Sequence, residues 1–191
     1  MTRKRRASAA QPAVIDACCL IDLLASGQAE SILGATGHAW HLPGSVQAEV
    51  QYVRQHDPDN PGSYRNVPVD LTPFVGSGVL TPCQPDDAQE QARYVHYATL
   101  FRSDGEAMCL ALAECRRWTV ATDDRRAILV ARQTGLTVVS CPEMVKAWAD
   151  ATRPDATSLV QVLNDIQTLS QFRPNPKMSD FKWWGNQLGS S

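Results

Sequence analysis

Short runs rich in valine and isoleucine alternate with helical stretches along residues 13–150, and few folds accept that alternation. "AVID" (13–16), "HAWHL" (38–42), "WTVAT" (118–122) and "LTVVS" (136–140) read as buried strands. "ACCLIDLLAS", "AESILGA", "DDAQEQARYVHYATLF", "GEAMCLALAECRR", "DDRRAILVARQT" and "PEMVKAWADA" read as helices, two of them closed by Gly27 and Gly135. Such an order builds an α/β fold, a parallel sheet with helices on both faces. Pro43 is expected to open a further helix over "GSVQAEVQYVRQ". The turn-rich segment 57–68 ("DPDNPGSYRNVP") is expected to be an exposed loop. "VDLTPFVGSGVL" suggests a short helix and then a strand.

Residues 151–191 form an addition. "DATSLVQVLNDIQTLSQF" carries apolar residues at 159, 162, 163, 166 and 169, a helical stripe ended by Pro174 and Pro176. The Trp183–Trp184 pair that follows either packs on the chain's own core or serves a partner or a base. At the other end, Arg3, Lys4, Arg5 and Arg6 make residues 1–12 a basic leader, expected to be a flexible, solvated tail.

Composition removes several classes. A net charge of −2 is not that of a strongly basic nucleic-acid binder, though it leaves room for a local basic surface. At 43% hydrophobic residues, global disorder is not expected. No run approaches the roughly 20 apolar residues of a membrane span, and the leader lacks the apolar core of a secretory signal. The six cysteines form no C-x-x-C pair and mostly sit in apolar runs, so a reduced, cytoplasmic protein is expected. His38 and His41 flank a strand on opposite faces, so no zinc pair is offered.

The acids stand out. Asp16 directly follows one strand and precedes a helix: it is either an N-cap or a group at the edge where α/β sheets bind ligands. Asp123 and Asp124 follow another strand, and adjacent residues cannot both point the same way from its end. Glu49 lies beside an i, i+4, i+7 stripe of Val46, Val50 and Val53, an expensive place for a carboxylate. Glu106 heads a helix whose Leu110 and Ala113 follow at core spacing. Ser103 and Glu106 match the S-x-x-E capping box, and Asp104 suits a first turn. If these acids converge, the pocket either protonates some of them or binds a cation. Oxygen donors at that density suit Mg2+ or Mn2+.

These segments resemble the PIN-domain family, Mg2+/Mn2+-dependent ribonucleases that include VapC-type toxins. "VIDACCLIDLL" resembles the opening strand–Asp–helix motif, and "LPGSVQAEV" the second. "SDGEAMCLALA" is similar to the GEA-type third motif of one branch, and "VATDDRRAILVARQTGLTVV" to the fourth. Order and spacing match across residues 13–150. The resemblance implies a three-layer α/β/α fold with a central parallel five-stranded sheet, here with a C-terminal helical extension. It makes Asp16, Glu49, Glu106 and Asp124 the acidic set, with Asp124 favoured over Asp123 by the T-x-D form and Asp104 competing with Glu106. It implies RNA hydrolysis with Mg2+ or Mn2+, RNA contacts from Arg117, Arg125 and Arg126, a homodimer, and, for a toxin, an antitoxin partner. Cys18 stands where many members carry a small hydroxyl residue. Two rivals remain: a PIN-like binding or scaffold protein without turnover, and a Mg2+-dependent phosphatase. The latter needs an aspartate where Cys18 stands.

Overall fold

Five parallel strands make the central sheet: β1 (Gln11–Ile15), β2 (His38–Pro43), β5 (Leu80–Cys83), β6 (Thr119–Ala121) and β7 (Val138–Val139), ordered β5-β2-β1-β6-β7. The computed structural model describes residues 10–189; Arg3, Lys4, Arg5 and Arg6 of the leader lie outside them. The helices are α1 (Ala17–Ala25), α2 (Ala29–Ala35), α3 (Gly44–Glu49), α4 (Thr72–Gly76), α5 (Ala88–Ala98), α6 (Asp104–Arg116), α7 (Arg125–Gln133), α8 (Cys141–Thr152), α9 (Ala156–Asp165) and α10 (Phe181–Gln187). A two-stranded antiparallel ribbon, β3 (Tyr52–His56) with β4 (Tyr64–Pro68), stands apart from the sheet.

The apolar strand runs are explained by cover on both faces. Ala13, Val14 and Ile15 of β1 are fully buried. Right-handed crossovers put α1 and α2 on one face, where α8 packs against α2, and α5, α6 and α7 on the other. The result is a three-layer α/β/α sandwich. α6 is buried from Cys109 through Ala113 as well as at Gly105 and Ala107, so it is apolar nearly all round, as a central helix should be.

The chain leaves β1 toward β2 but leaves β6 toward β7, while β1 and β6 are hydrogen-bonded neighbours, Val14 opposite Val120 and Ile15 opposite Ala121. The connections therefore part company between β1 and β6. In an open α/β sheet the crevice beyond the carboxyl ends at such a reversal is where ligands bind. Asp16 and Asp123–Asp124 follow these two strands.

Two expectations fail together. The helix from Pro43 stops at Glu49, and Val50 takes φ −82, ψ 72. The segment read as its continuation becomes β3, and part of the expected loop becomes β4. "YVRQH" buries Val53 alone and leaves Tyr52, Gln55 and His56 exposed, and the pairing partner lies eight or more residues on. Val53 meets Ala25 and Leu169, so the ribbon is held by the C-terminal extension. The 46/50/53 stripe around Glu49 was thus not a helix face.

The extension packs on the same core as the sheet. Leu159, Val162, Leu163, Ile166 and Trp184 join its main cluster. α9 runs into a π-helical turn at Ile166–Ser170. Trp184 is buried against Phe172, ring centroids 6.0 Å apart, so this half of the tryptophan pair packs internally. Two small boundary differences follow: β1 begins at Gln11, inside the leader, and α8 runs to Thr152. No single helix among the described residues is long and apolar enough to cross a membrane.

Candidate active site

Asp16 caps α1 and faces the crevice at once. Its Oδ1 accepts from Cys18 N at 2.7 Å and Cys19 N at 3.3 Å, and its Oδ2 accepts from the Thr122 hydroxyl. The side chain is almost fully buried, and burial raises its pKa against those hydrogen bonds. Thr122 also braces the next acid in sequence, since its Oγ1 accepts from Asp124 N at 3.2 Å. One hydroxyl thus ties the end of β6 to the end of β1.

Asp124 caps α7. Its Oδ1 accepts from Arg126 N at 2.8 Å and Ala127 N at 2.7 Å. Asp123 turns the other way, as adjacent residues on a strand end must. It accepts from Cys141 N, at the head of α8, at 3.1 and 3.2 Å, and from Cys19 Sγ at 3.1 Å. Burial pushes Asp123 up to about 7.

Glu106 is half-buried at the head of α6. Burial, then the charges of Asp124, Asp16 and Glu49, push it up to about 7, with Arg126 opposing them. Glu106 therefore feels three carboxylates from three other stretches of chain. The capping-box reading is half right. Glu106 N donates to Ser103 Oγ at 3.2 Å, but among the described residues the Glu106 carboxylate does not return to Ser103 N. Glu49 occupies that corner instead: it accepts from Gly105 N at 2.8 Å and from Ser103 Oγ at 3.0 Å.

That contact explains Gly105, which the sequence reading passed over. A Cβ there would lie 2.8 Å from Glu49 Oε2, nearer than real Cβ contacts come. With a side chain at 105 the Glu49 carboxylate would have to shift from its place at the helix end. The signal was the glycine of "DGEA" itself, a poor helix former placed inside a first turn.

Other expected residues are not brought to the crevice. Asp104 is exposed and accepts from Tyr94 OH at 3.1 Å on α5, and it is not among the charges that raise Glu106. Arg117 ends α6 with φ 56 and shares a cavity with Gln11, Pro12 and Thr119, the first residues of β1 and β6. It therefore sits at the sheet's amino edge, opposite the acids. Arg126 reaches the site and stands 5.4 Å over the Phe101 ring. Arg125 lines a separate cavity beside it. Arg116 pairs with Glu90 at 2.6 Å and Asp86 at 2.8 Å. His41 stacks on Trp118 at 4.0 Å, a packing role.

The sequence reading also missed Asp22. It is 5% exposed, and burial, with repulsion from Asp123 and Asp16 behind it, pushes it up to about 8. A lone acid inside "CCLIDLL" was the available signal.

The donor set is mainly hard. Asp16, Glu49, Glu106 and Asp124 offer carboxylate oxygens to a cation. The potential ligand atoms of Asp16, Cys18 and Cys19 lie within 4.8 Å of one another, as do those of Asp22, Asp123 and Cys141. The thiols are held protonated. A hydrogen bond with Cys19 lowers Cys18, but burial and the charges of Asp16 and Asp123 outweigh it and bring it to about 11. Burial pushes Cys19 and Cys141 well above their usual value. A pocket of repelling carboxylates beside neutral thiols suits a hard divalent ion better than zinc. Comparison with protein-family models, curated proteins and solved structures gives no match for the chain.

Proposed function

We propose that this protein is a PIN-domain ribonuclease, hydrolysing RNA phosphodiester bonds with Mg2+ or Mn2+ held by Asp16, Glu106 and Asp124. The observation that carries the reading is that Glu106, near the reversal between β1 and β6, is pushed up to about 7 by burial and by the charges of Asp124, Asp16 and Glu49. A bound cation removes that repulsion and favours the ionised carboxylates. Such an ion supplies Lewis-acid activation of water and charge neutralisation at phosphorus.

The chain's own residues prepare the site. The amides of Cys18 and Cys19 fix one oxygen of Asp16, and the Thr122 hydroxyl fixes the other. Here Thr122 supplies a hydroxyl although Cys18 stands where many family members carry one. Amides at the head of α7 fix one oxygen of Asp124. Glu49 orients the head of α6, and with it Glu106, through Gly105 and Ser103. Arg126, exposed beside the acids, suits a backbone phosphate. A role as the toxin of a toxin–antitoxin pair, acting as a homodimer, is part of this proposal.

The test is cleavage of a mixed RNA pool with Mn2+, Mg2+ or EDTA. Metal-dependent cutting is expected, lost in Asp16→Asn and Glu106→Gln while both still unfold cooperatively. Cutting that survives both substitutions would sink the assignment of the site. Co-purification with a small neighbouring protein from the native operon tests the toxin role.

A further inference from the structure

A cavity of about 220 Å3 opens between α7 and the segment 175–179 of the extension. On the α7 side its wall is Arg125, Ile128, Leu129 and Arg132. Their spacing places them on one helix face. Ala127 and Ala131, fully buried, anchor the helix to the sheet, so this face is a second one. Leu129 is 60% exposed, and Met178 stands in the opposite wall with Lys177. The cavity therefore has a mixed lining, in which Ile128, Leu129, Val138 and Met178 alternate with the cations Arg125, Arg132 and Lys177 at its rim and with polar residues.

The rim cations are unspent. Arg125, Arg132 and Lys177 are exposed, and none belongs to an ion pair among the described residues. Glu143 also lines the cavity, but its Oε2 is engaged by Ser140 N at 2.8 Å and Ser140 Oγ at 2.7 Å. Three cations against one occupied carboxylate favour an anionic ligand. The aliphatic part of the lining favours one with a flat apolar body.

Position joins the cavity to the acidic crevice at two points. Arg125 directly follows Asp124. Ser140 directly precedes Cys141, whose amide holds Asp123. A strand lying over the acids has this cavity beside it, on the β7 side.

We propose that the cavity is a nucleotide subsite, seating one base of the RNA strand between α7 and residues 175–179 with its phosphates against Arg125, Arg132 and Lys177. The inference rests on the ribonuclease reading for its substrate, but not for its test. Arginine and lysine at phosphates position the strand. Along the axis, Arg125 and Arg132 lie about 10.5 Å apart, room to flank one nucleotide. The extension would thereby add base preference to a site whose acids have none.

The experiment measures binding of a labelled single-stranded RNA octamer to the full chain in EDTA, so that no cutting intervenes, with UMP, AMP and inorganic phosphate as competitors. In wild type, nucleotides are expected to compete and inorganic phosphate to compete poorly. Arg132→Ala/Lys177→Ala, both exposed positions, should keep the wild-type unfolding midpoint and weaken RNA binding about tenfold. It should also flatten the log K against log salt slope by about 1.4, two single-strand phosphate contacts. Leu129→Asp should abolish competition by nucleotides. Unchanged RNA affinity in the double variant would overturn the proposal and leave the face to a protein partner. Equal competition by phosphate and nucleotide would overturn it too, showing a charged surface without a base pocket. If wild type binds nucleotides through these residues yet never cuts RNA, the ribonuclease reading alone fails. If it cuts but the variants bind normally, the subsite alone fails.

Discussion

Replacing Glu106 by Gln should stabilise the metal-free protein while abolishing its activity. The carboxyl rises from 4.5 to about 7 on folding. Between those values the unfolded chain has released its proton and the folded chain keeps it, so stability falls as pH rises through that window. At about 1.36 kcal/mol per pH unit, a fully buried group would cost the native state about 3 kcal/mol at pH 7. Glu106 is only half-buried, and screening by water reduces this to about 1 kcal/mol. Gln keeps the shape and loses the ionisation. Urea or thermal unfolding in EDTA should therefore show Glu106→Gln more stable than wild type by about 1 kcal/mol at pH 8. For a chain of this length that is about 2–4 °C in Tm. At pH 4, where the carboxyl is protonated in both states, the difference should vanish. Mn2+ should reverse the order at pH 8, since a ligand held by the native state stabilises it by mass action. Ser103→Ala, which removes the cap, should lose about 1 kcal/mol at both pH values. A Glu106→Gln protein destabilised equally at pH 4 and pH 8 would refute the electrostatic reasoning and return the side chain to a structural role.

Three further outcomes test other parts of the site. Gly105→Ala puts a Cβ 2.8 Å from Glu49 Oε2; the flexible carboxylate should swing off the helix head, so stability read by denaturant unfolding should change by no more than about 1 kcal/mol, while RNA cleavage read by product formation should fall. Asp22, pushed up to about 8 by burial, keeps its proton when folded and loses it when unfolded. Asp22→Asn should therefore match wild type near pH 3.5 and exceed it increasingly toward pH 8, by a few kcal/mol on the scale of about 1.36 per pH unit; a pH-independent difference in urea midpoints would contradict this. Arg126→Ala should raise KM for RNA several-fold with little change in kcat, whereas Arg117→Ala, at the far edge of the sheet, should leave both unchanged; equal effects would show that the amino edge also carries RNA.

Sequence carried the alternation of strands and helices because buried parallel strands need no partner-specific pattern: Ala13, Val14 and Ile15 are apolar wherever β1 sits in the sheet. It could not carry strand order. That β1 lies beside β6, with Val14 opposite Val120, is a tertiary fact, and it alone brings the ends of the two strands that Asp16 and Asp124 follow to one crevice. The β3–β4 ribbon was missed for a related reason. "VQYVRQ" permits either a helix or a strand, and the choice falls to Val67 across the ribbon and Leu169 in the extension. Arg117 misled because it adjoins a motif in sequence while the length of α6 separates it from the motif's acids. Over 13 residues a helix rises about 20 Å, so its two ends serve opposite edges of the sheet.

The sequence posed Asp16 and Glu106 as a choice between cap and ligand, and the geometry shows how capping and an open oxygen can coexist on one helix end. In a parallel α/β fold every helix that follows a strand begins at the carboxyl edge, so helix N-termini crowd the crevice where ligands bind. A carboxylate has two oxygens, and a cap uses one. Asp124 gives Oδ1 to Arg126 N and Ala127 N, and among the described residues its Oδ2 accepts no hydrogen bond. Asp16 gives Oδ1 to the head of α1 and Oδ2 to a hydroxyl that can rotate. Capping thus fixes one oxygen of each carboxylate; the second oxygen of Asp124 accepts no hydrogen bond among the described residues, while that of Asp16 is held by the Thr122 hydroxyl. At α6 the same logic is divided between two residues. Glu49 caps from outside and leaves Glu106 uncommitted, so that burial and the charge of its neighbours carry Glu106 to about 7. Exchanging these roles, by Glu49→Gln, should therefore loosen the α6 head and move the Glu106 titration toward its ordinary value. A carboxyl-labelled NMR titration in EDTA would show this, and an unchanged Glu106 midpoint would mean that Glu49 does not set its environment.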